Sequence, residues 1–336
     1  MRHLLPEWHP QWGVLLAWPH ADTDWADNLT DAEATYTALA GAVLAREHLL
    51  VICRDGSHEA HIRSQLADSG APLERLTLIQ RPYNDTWARD FGPIAVQQDG
   101  AVTLLDFTFT GWGNKFDAQL DNALTASLPW RCPVSREDLV LEGGALDTDG
   151  RGLLLTTRQC LLNPNRNPEL DQASLEQTLK QRLGVKQIAW LQHGDLEGDD
   201  TDAHVDTLAR FCNPSTVAYV QCTDQSDSHY PALSAMQAEL EALAAEHHWQ
   251  LVPLPHAPAQ FHRQEGYRLP ATYANFLIIN QAVLVPVYGC DTDEPALAQL
   301  RSAFPDREVI GIPCRALIEQ HGSLHCITMQ LPEGVL

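Results

Sequence analysis

A strand–loop–hairpin–helix unit recurs along this chain, and no other feature limits the fold as tightly. Leu76–Gln80 reads as a strand, followed by a loop through Asp90, a strand at 94–96, an Asp99-Gly100 hairpin signal, a strand at 102–107 and a helix near 116–128. A second copy has a short strand ending at Leu141, the loop Glu142-Gly143-Gly144, a hairpin at Asp149-Gly150, strand Leu153–Thr157 and a helix over 171–183. The third runs through Gln187–Leu191, a loop from His193 to Asp206, strands at 207–212 and Thr216–Gln221, and helix Tyr230–His247. The fourth has strands at 250–252, 273–279 and 283–287 and a helix over 293–304. The fifth starts at 308–312 and reaches the loop holding Cys326. The opening strand near Val14 and a helix from a Thr30-Asp31-Ala32-Glu33 capping box to about Glu47 complete it. Units of roughly 50–65 residues cannot bury their own faces, so they must close on one another.

Closure has a chemical consequence. Asp90, Glu142, the His204/Asp206 pair and Cys326 each lie in the loop after the first strand of a unit. Equivalent loops of a radial arrangement converge, which brings five distant residues to one pocket. If the stretch at His204 is extended, positions i and i+2 share a face and both side chains point inward together. The stretch Gly322-Ser323-Leu324-His325-Cys326 is a small-residue turn before an apolar, β-favouring run, and it presents a thiol at the mouth of a strand. Cys326 reads as a nucleophile there, or else as a buried structural cysteine. The histidine and carboxylates that would accompany it favour the first reading.

Composition narrows the partners. The chain has 336 residues, 44% hydrophobic and 20% charged, with a formal net charge of −22. That charge argues against nucleic acid and anionic membranes and suits a cationic substrate. No apolar run approaches the roughly 18 residues of a membrane span, and the N-terminal stretch has no signal-peptide core. Eight scattered cysteines without a C-x-x-C pair fit reduced thiols in a cytosol. No linker or low-complexity segment interrupts the sequence, which predicts a single domain over 1–336. The acidic run from Asp195 to Asp202 could suggest calcium, but it lacks the EF-hand spacing.

A cysteine, a histidine and three carboxylates offer little for acyl transfer, where negative charge builds on oxygen. Carboxylates stabilise a cation. A guanidinium is a planar fork of N–H donors that two carboxylates can hold in line for a thiolate.

The chain resembles agmatine deiminases, within the guanidine-modifying enzymes that include arginine deiminases and amidinotransferases. The resemblance rests on Glu7-Trp8 through Trp18-Pro19, Asp85 through Pro93, Trp112 through Asp117, Glu142-Gly143-Gly144, Cys160 through Pro168, Asp202 through Asp206, Leu269 through Phe276 and His325-Cys326-Ile327-Thr328. It covers nearly the whole chain and implies an α/β fold, a five-bladed pseudo-fivefold α/β propeller of ββαβ units. It implies Cys326 as nucleophile, His204 as acid/base, Asp90 and Asp206 as the guanidinium clamp, and Glu142 as the carboxylate that orients His204. Trp87 and Trp112 are the candidates to line the substrate tail. The implied reaction converts agmatine and water to N-carbamoylputrescine and ammonia, with no metal or organic cofactor, in a cytoplasmic protein that the resemblance suggests is a dimer. Two other readings stay open: a deiminase of arginine or peptidyl-arginine, and a non-enzymatic acidic metal-binding module. The chain departs from the usual pattern at Ala203, where glycine normally precedes the histidine, at Cys290, and in the thin glycine run around His321 and Ser323.

Overall fold

A computed structural model of the protein describes residues 2–336 and shows a mixed α/β fold. Five sheets share one order: an antiparallel pair whose second strand takes a third strand in parallel on its other edge. The first is Ile94–Gln98, Ala101–Thr108 and Val134–Val140; the second is Asp147–Thr148, Leu153–Thr157 and Gln187–Leu191. Ala209–Asn213, Thr216–Gln221 and Gln250–Pro255 form the third, and Leu277–Ile279, Ala282–Val287 and Glu308–Pro313 the fourth. The fifth joins the two ends of the chain: Met329–Pro332 pairs with Gln11–Ala17, which takes His48–Cys53 in parallel. Arg2–Leu4 extends the first sheet and Leu76–Gln80 the fifth. A small two-stranded pair, Gln260–Phe261 with Arg268–Leu269, stands apart.

Each parallel step needs a crossover, and a helix supplies it. Leu29–Leu44, Leu124–Ser127, Gln172–Leu183, Tyr230–His247 and Asp293–Ala303 fill that place in the five units. Their apolar spacing decides what they cover. Leu233, Met236 and Leu240 form a buried i, i+3, i+7 stripe against the third sheet, and burying each such side chain contributes roughly 1.5–3 kcal/mol. Asp171 caps its helix by accepting from the Ser174 N–H at 2.8 Å, and Gly184 ends it at φ +73°. The parallel strands are covered on both faces, which explains near-continuous runs such as Ala282–Val287.

Three local expectations fail for physical reasons. The first helix starts at Leu29, not from a Thr30 cap. Glu33, which would complete the capping box, instead accepts from Trp18 Nε1 at 3.3 Å and meets His61 at 2.7 Å. Only 121–127 is helical within 116–128, because Asp121 turns back to accept from the N–H of Asn84 at 2.7 Å. The strand expected over 273–279 is confined to Leu277–Ile279, since Asn275 is drawn into side-chain bonding described below. Among the described residues no helix is long and apolar enough to cross a membrane.

Candidate active site

The connections between successive sheets carry the candidate residues, and they meet. Asp90 sits in a single helical turn, Ala88–Phe91, before the first sheet. Glu142 precedes the turn Gly143–Ala145, and His204 precedes the turn Val205–Thr207. Cys326 lies in the turn before Met329–Pro332. Gly144 marks the meeting point. A β-carbon there would lie 2.5 Å from His204 Nδ1, 2.9 Å from Asp90 Oδ1 and 3.2 Å from Asp206 Oδ2. Only a bare backbone lets three side chains approach so closely.

The stretch at His204 is not extended, so the i, i+2 condition is not met. Residues 205–207 form a 3-10 turn, closed by the Thr207 N–H on the His204 carbonyl. Asp199 winds the preceding loop by accepting from the N–H of Thr201 and of Ala203. His204 and Asp206 nonetheless reach the same place. His204 Nδ1 is 3.6 Å from Asp90 Oδ1, and Nε2 is 3.4 Å from Glu142 Oε2. Glu142 is fixed by Arg166, whose Nε donates to its two oxygens at 3.1 and 2.7 Å. Asp90 accepts from Trp112 Nε1 and from the Gly144 N–H, each at 2.9 Å.

Cys326 is 5% exposed. Asn275 Oδ1 accepts from the N–H of His325 at 2.9 Å and of Cys326 at 3.3 Å, and lies 3.4 Å from Cys326 Sγ. The Asn275 amide donates to the Asp206 carbonyl at 3.3 Å, so one side chain ties the two turns together. Trp87 packs against Gly322, where a β-carbon would sit 2.1 Å from its ring. The glycine ahead of the thiol thus admits a close neighbour, as the sequence suggested.

These groups have shifted protonation. Burial alone would lower the His204 imidazole, but Asp90, Cys160 and Glu142 outweigh it and hold it well above its ordinary value. Burial, then the charges of Asp206 and Asp90, push the Cys326 thiol well above 9. Burial raises Asp90 to about 6 against the pull of His204. Burial also works against ionised Glu142 and Asp206, yet His204 and Arg166 lower the first and His325 lowers the second.

A cavity of about 560 Å³, counting its open mouth, reaches Asp90 and Cys326. Trp87, Trp112 and Phe116 supply apolar walls, and Asp24, Asp85 and Asp200 also line it. His204, Glu142 and Asp206 are not in its lining; they lie buried beyond Asp90. No arginine or lysine is among its described lining residues. Arg89, Arg166, Arg210 and Arg268 are engaged elsewhere, with Glu7 and Gln330, with Glu142 and Asp202, with Glu7 and Asp147, and with Asp227.

Trp112 sits in an unusual turn. Gly111, Trp112, Gly113 and Asn114 have φ values of +65°, +54°, +86° and +63°, a left-handed run that aims the indole N–H at Asp90. The acidic run near 200 is absorbed by structure: Asp202 meets Arg166 at 2.7 Å and Lys115 at 3.0 Å. Two described clusters group ligands within reach of an ion, Glu142/Cys160/His204 and Cys222/Asp227/His256. In each an arginine already occupies the carboxylate, Arg166 on Glu142 and Arg268 on Asp227.

A family model of Porphyromonas-type peptidyl-arginine deiminases matches residues 3–332. The chain belongs to that family. A Stutzerimonas stutzeri relative named agmatine deiminase is 33% identical over 97% of this chain and 94% of its own. Two solved members superpose over 100% of the chain. One is a cysteine-to-serine variant of C. jejuni agmatine deiminase with substrate bound, 36% identical, TM-score 0.93, covered over 98% of its length. The other, from Porphyromonas gingivalis and named provisionally as an arginine deiminase, is 48% identical, TM-score 0.92, and covered over its full length.

The resemblance implies glycine where this chain has Ala203, and the backbone there makes the difference testable. Ala203 has φ +64°, pinned by its N–H to Asp199 and by Thr157 on its carbonyl, both at 2.7 Å. A left-handed alanine costs roughly 1–2 kcal/mol, and glycine's looser unfolded chain returns part of that. Ala203→Gly is expected to gain about 0.5–1 kcal/mol net, read in a thermal melt as a Tm rise of roughly 1–2 °C. An unchanged or lower Tm would show that the turn is not strained.

Reading the sequence missed Glu7, Arg166, Asn275 and His325 as parts of this site. All four stand inside the motifs quoted above, yet only their burial and charge pairing reveal what they touch.

Proposed function

We propose that this protein hydrolyses agmatine to N-carbamoylputrescine and ammonia. The observation that carries the reading is the cavity at Cys326, with four aspartates and no arginine or lysine in its described lining. A guanidinium at the floor and an ammonium further out fit such a lining, while a carboxylate tail meets repulsion and desolvation without repayment. The relatives named as agmatine deiminases point the same way, and the C. jejuni serine variant with its substrate bound accords with a cysteine nucleophile.

Cys326 attacks the guanidinium carbon while Asp90 and Asp206 hold the nitrogens. His204, oriented by Glu142, gives a proton to the departing ammonia. The thiouronium left on Cys326 is then hydrolysed by water that His204 activates, which frees the thiol. Trp87 and Trp112 flank the aliphatic chain. These steps ask for no metal or organic cofactor. The five similar sheets are the blades of a pseudo-fivefold α/β propeller, and the chain forms one catalytic domain. It works as a cytoplasmic homodimer on a small cationic guanidine, away from nucleic acid and membranes; the charge of −22 and eight unpaired cysteines accord with this.

Ammonia release from agmatine, arginine and peptidyl-arginine, measured side by side with and without chelator, tests the assignment. Agmatine is expected to have the highest kcat/KM by at least tenfold, a difference of about 1.4 kcal/mol. Equal or better turnover of arginine would move the assignment to an arginine deiminase. Loss of activity with chelator would overturn the metal-free mechanism.

The shifted groups set a pH dependence. A thiol raised by burial and two carboxylates is neutral in the free enzyme, and a bound guanidinium lowers it by adding positive charge beside the sulfur. Alkylation of free enzyme by iodoacetamide should therefore rise only above the ordinary thiol range, while kcat rises at lower pH. An apparent pKa well below 7 for alkylation would mean a preformed thiolate. On the acid side, Asp90 takes up a proton as pH falls through about 6, so kcat/KM should fall there as the clamp loses charge.

A further inference from the structure

Asp90 and Asp206 are held differently. Asp90 accepts neutral N–H donors on both oxygens, from Trp112 and Gly144. Asp206 is held from behind by a charged line. His325 Nδ1 is 2.7 Å from Asp206 Oδ2, and His325 Nε2 is 2.6 Å from Glu7 Oε2. Arg210 donates to the same Glu7 oxygen at 2.9 Å and pairs with Asp147, while the Ile278 N–H donates to Glu7 Oε1 at 2.7 Å. All of these side chains are more than nine-tenths buried.

The geometry asks two things of His325. Ionised carboxylates only accept, so an acceptor at each ring nitrogen calls for a proton on each. The ring then acts as a two-ended donor between Glu7 and Asp206. It also leaves Asp206 with one oxygen engaged and the other, Oδ1, buried without a partner. A buried acceptor left open, on a carboxylate that meets Asp90 at Gly144, is poised for a donor from outside the protein. Because His325 directly precedes Cys326, and both N–H groups share Asn275 Oδ1, the ring is fixed relative to the sulfur as well.

We propose that His325, backed by Glu7, is a positioning residue: it locks the Asp206 carboxylate with one oxygen free for the substrate guanidinium and so sets the alignment of the guanidinium carbon over Cys326. The inference rests on the reading of Asp206 as a clamp. It predicts that His325 and Asp206 act as one unit rather than as two independent contributors.

A double-mutant cycle on kcat/KM for agmatine tests this. His325→Asn alone is expected to lower kcat/KM about thirtyfold, mostly through kcat, because a misaligned clamp still binds a cation. In an Asp206→Asn background the same change should cost less than about threefold, since the carboxylate it orients is gone. Multiplicative losses would overturn the proposal, because a structural role lowers activity regardless of Asp206. An Asp206→Asn loss below threefold on its own would instead sink the clamp reading, and the inference with it. If His325→Asn does not fold, by circular dichroism, Glu7→Gln takes its place in the cycle. It keeps the volume and one of the two acceptor oxygens, and leaves Arg210 its Asp147 partner. Its expected loss of about fivefold should likewise vanish with Asp206→Asn, and a loss that persists would overturn the proposal.

Discussion

Cys326→Ser is expected to abolish agmatine turnover while leaving the fold unchanged. The thiol lies at the cavity floor with Asp90, in a turn held by Asn275 and by the Arg89 N–H on the Cys326 carbonyl. None of those bonds needs sulfur except the 3.4 Å contact to Asn275 Oδ1, which a hydroxyl can replace, so the variant should match in circular dichroism. What serine cannot replace is nucleophilicity. An unactivated hydroxyl is almost never ionised at working pH, and the carboxylates that raise the thiol would raise it too. The loss should exceed about four decades, near 5.5 kcal/mol of barrier at about 1.36 kcal/mol per decade. Quenching the native enzyme during turnover should add the mass of an amidino adduct to the Cys326 peptide. More than a trace of activity in a correctly folded variant would show that another group attacks the substrate.

Asp90→Asn and Asp206→Asn are expected to lower kcat/KM by two decades or more each. Breaking one side of a buried charge-assisted pair costs roughly 3–5 kcal/mol, which corresponds to two to almost four decades. The two should differ in detail. An asparagine at position 90 could keep the bonds from Trp112 and Gly144 only on its carbonyl oxygen, so its amide would face a donor. At position 206 the carbonyl could still accept from His325, but the amide would then take the open side and meet the guanidinium donors. Both variants therefore lose an acceptor as well as charge. A fall of less than threefold in either would place that residue outside the guanidinium site.

Much of this was legible in the sequence, because the repeats and motifs carry position. The order of strands and helices in each unit can be read from Asp-Gly hairpins and apolar runs, and helix Tyr230–His247 is bounded as expected. The convergence of Asp90, Glu142, His204, Asp206 and Cys326 follows once those units are closed. What escaped reading depends on contacts between remote residues. Glu7 and His325 lie at opposite ends of the sequence, and nothing in either motif announces a 2.6 Å contact. Trp112 is visible as an aromatic but not as a donor to Asp90, since its aim comes from a left-handed run that includes two non-glycine residues. The helix that failed to start at Thr30 shows the same limit: tertiary partners claimed Glu33 before its own backbone could.

The sheet that joins the two ends of the chain has a kinetic consequence. Met329 pairs with Leu15, more than three hundred residues away, and the Cys326 turn is seated just ahead of that strand. Loop closure over such a length must precede any reward from the contacts it makes, and non-local pairing of this kind forms slowly. Four of the five sheets can assemble from neighbouring segments beforehand. A chain caught at that stage would carry most of its secondary structure, yet have no sulfur in place. Half-folded molecules would thus be chemically silent toward guanidines, and reactivity would arrive as the last step of maturation.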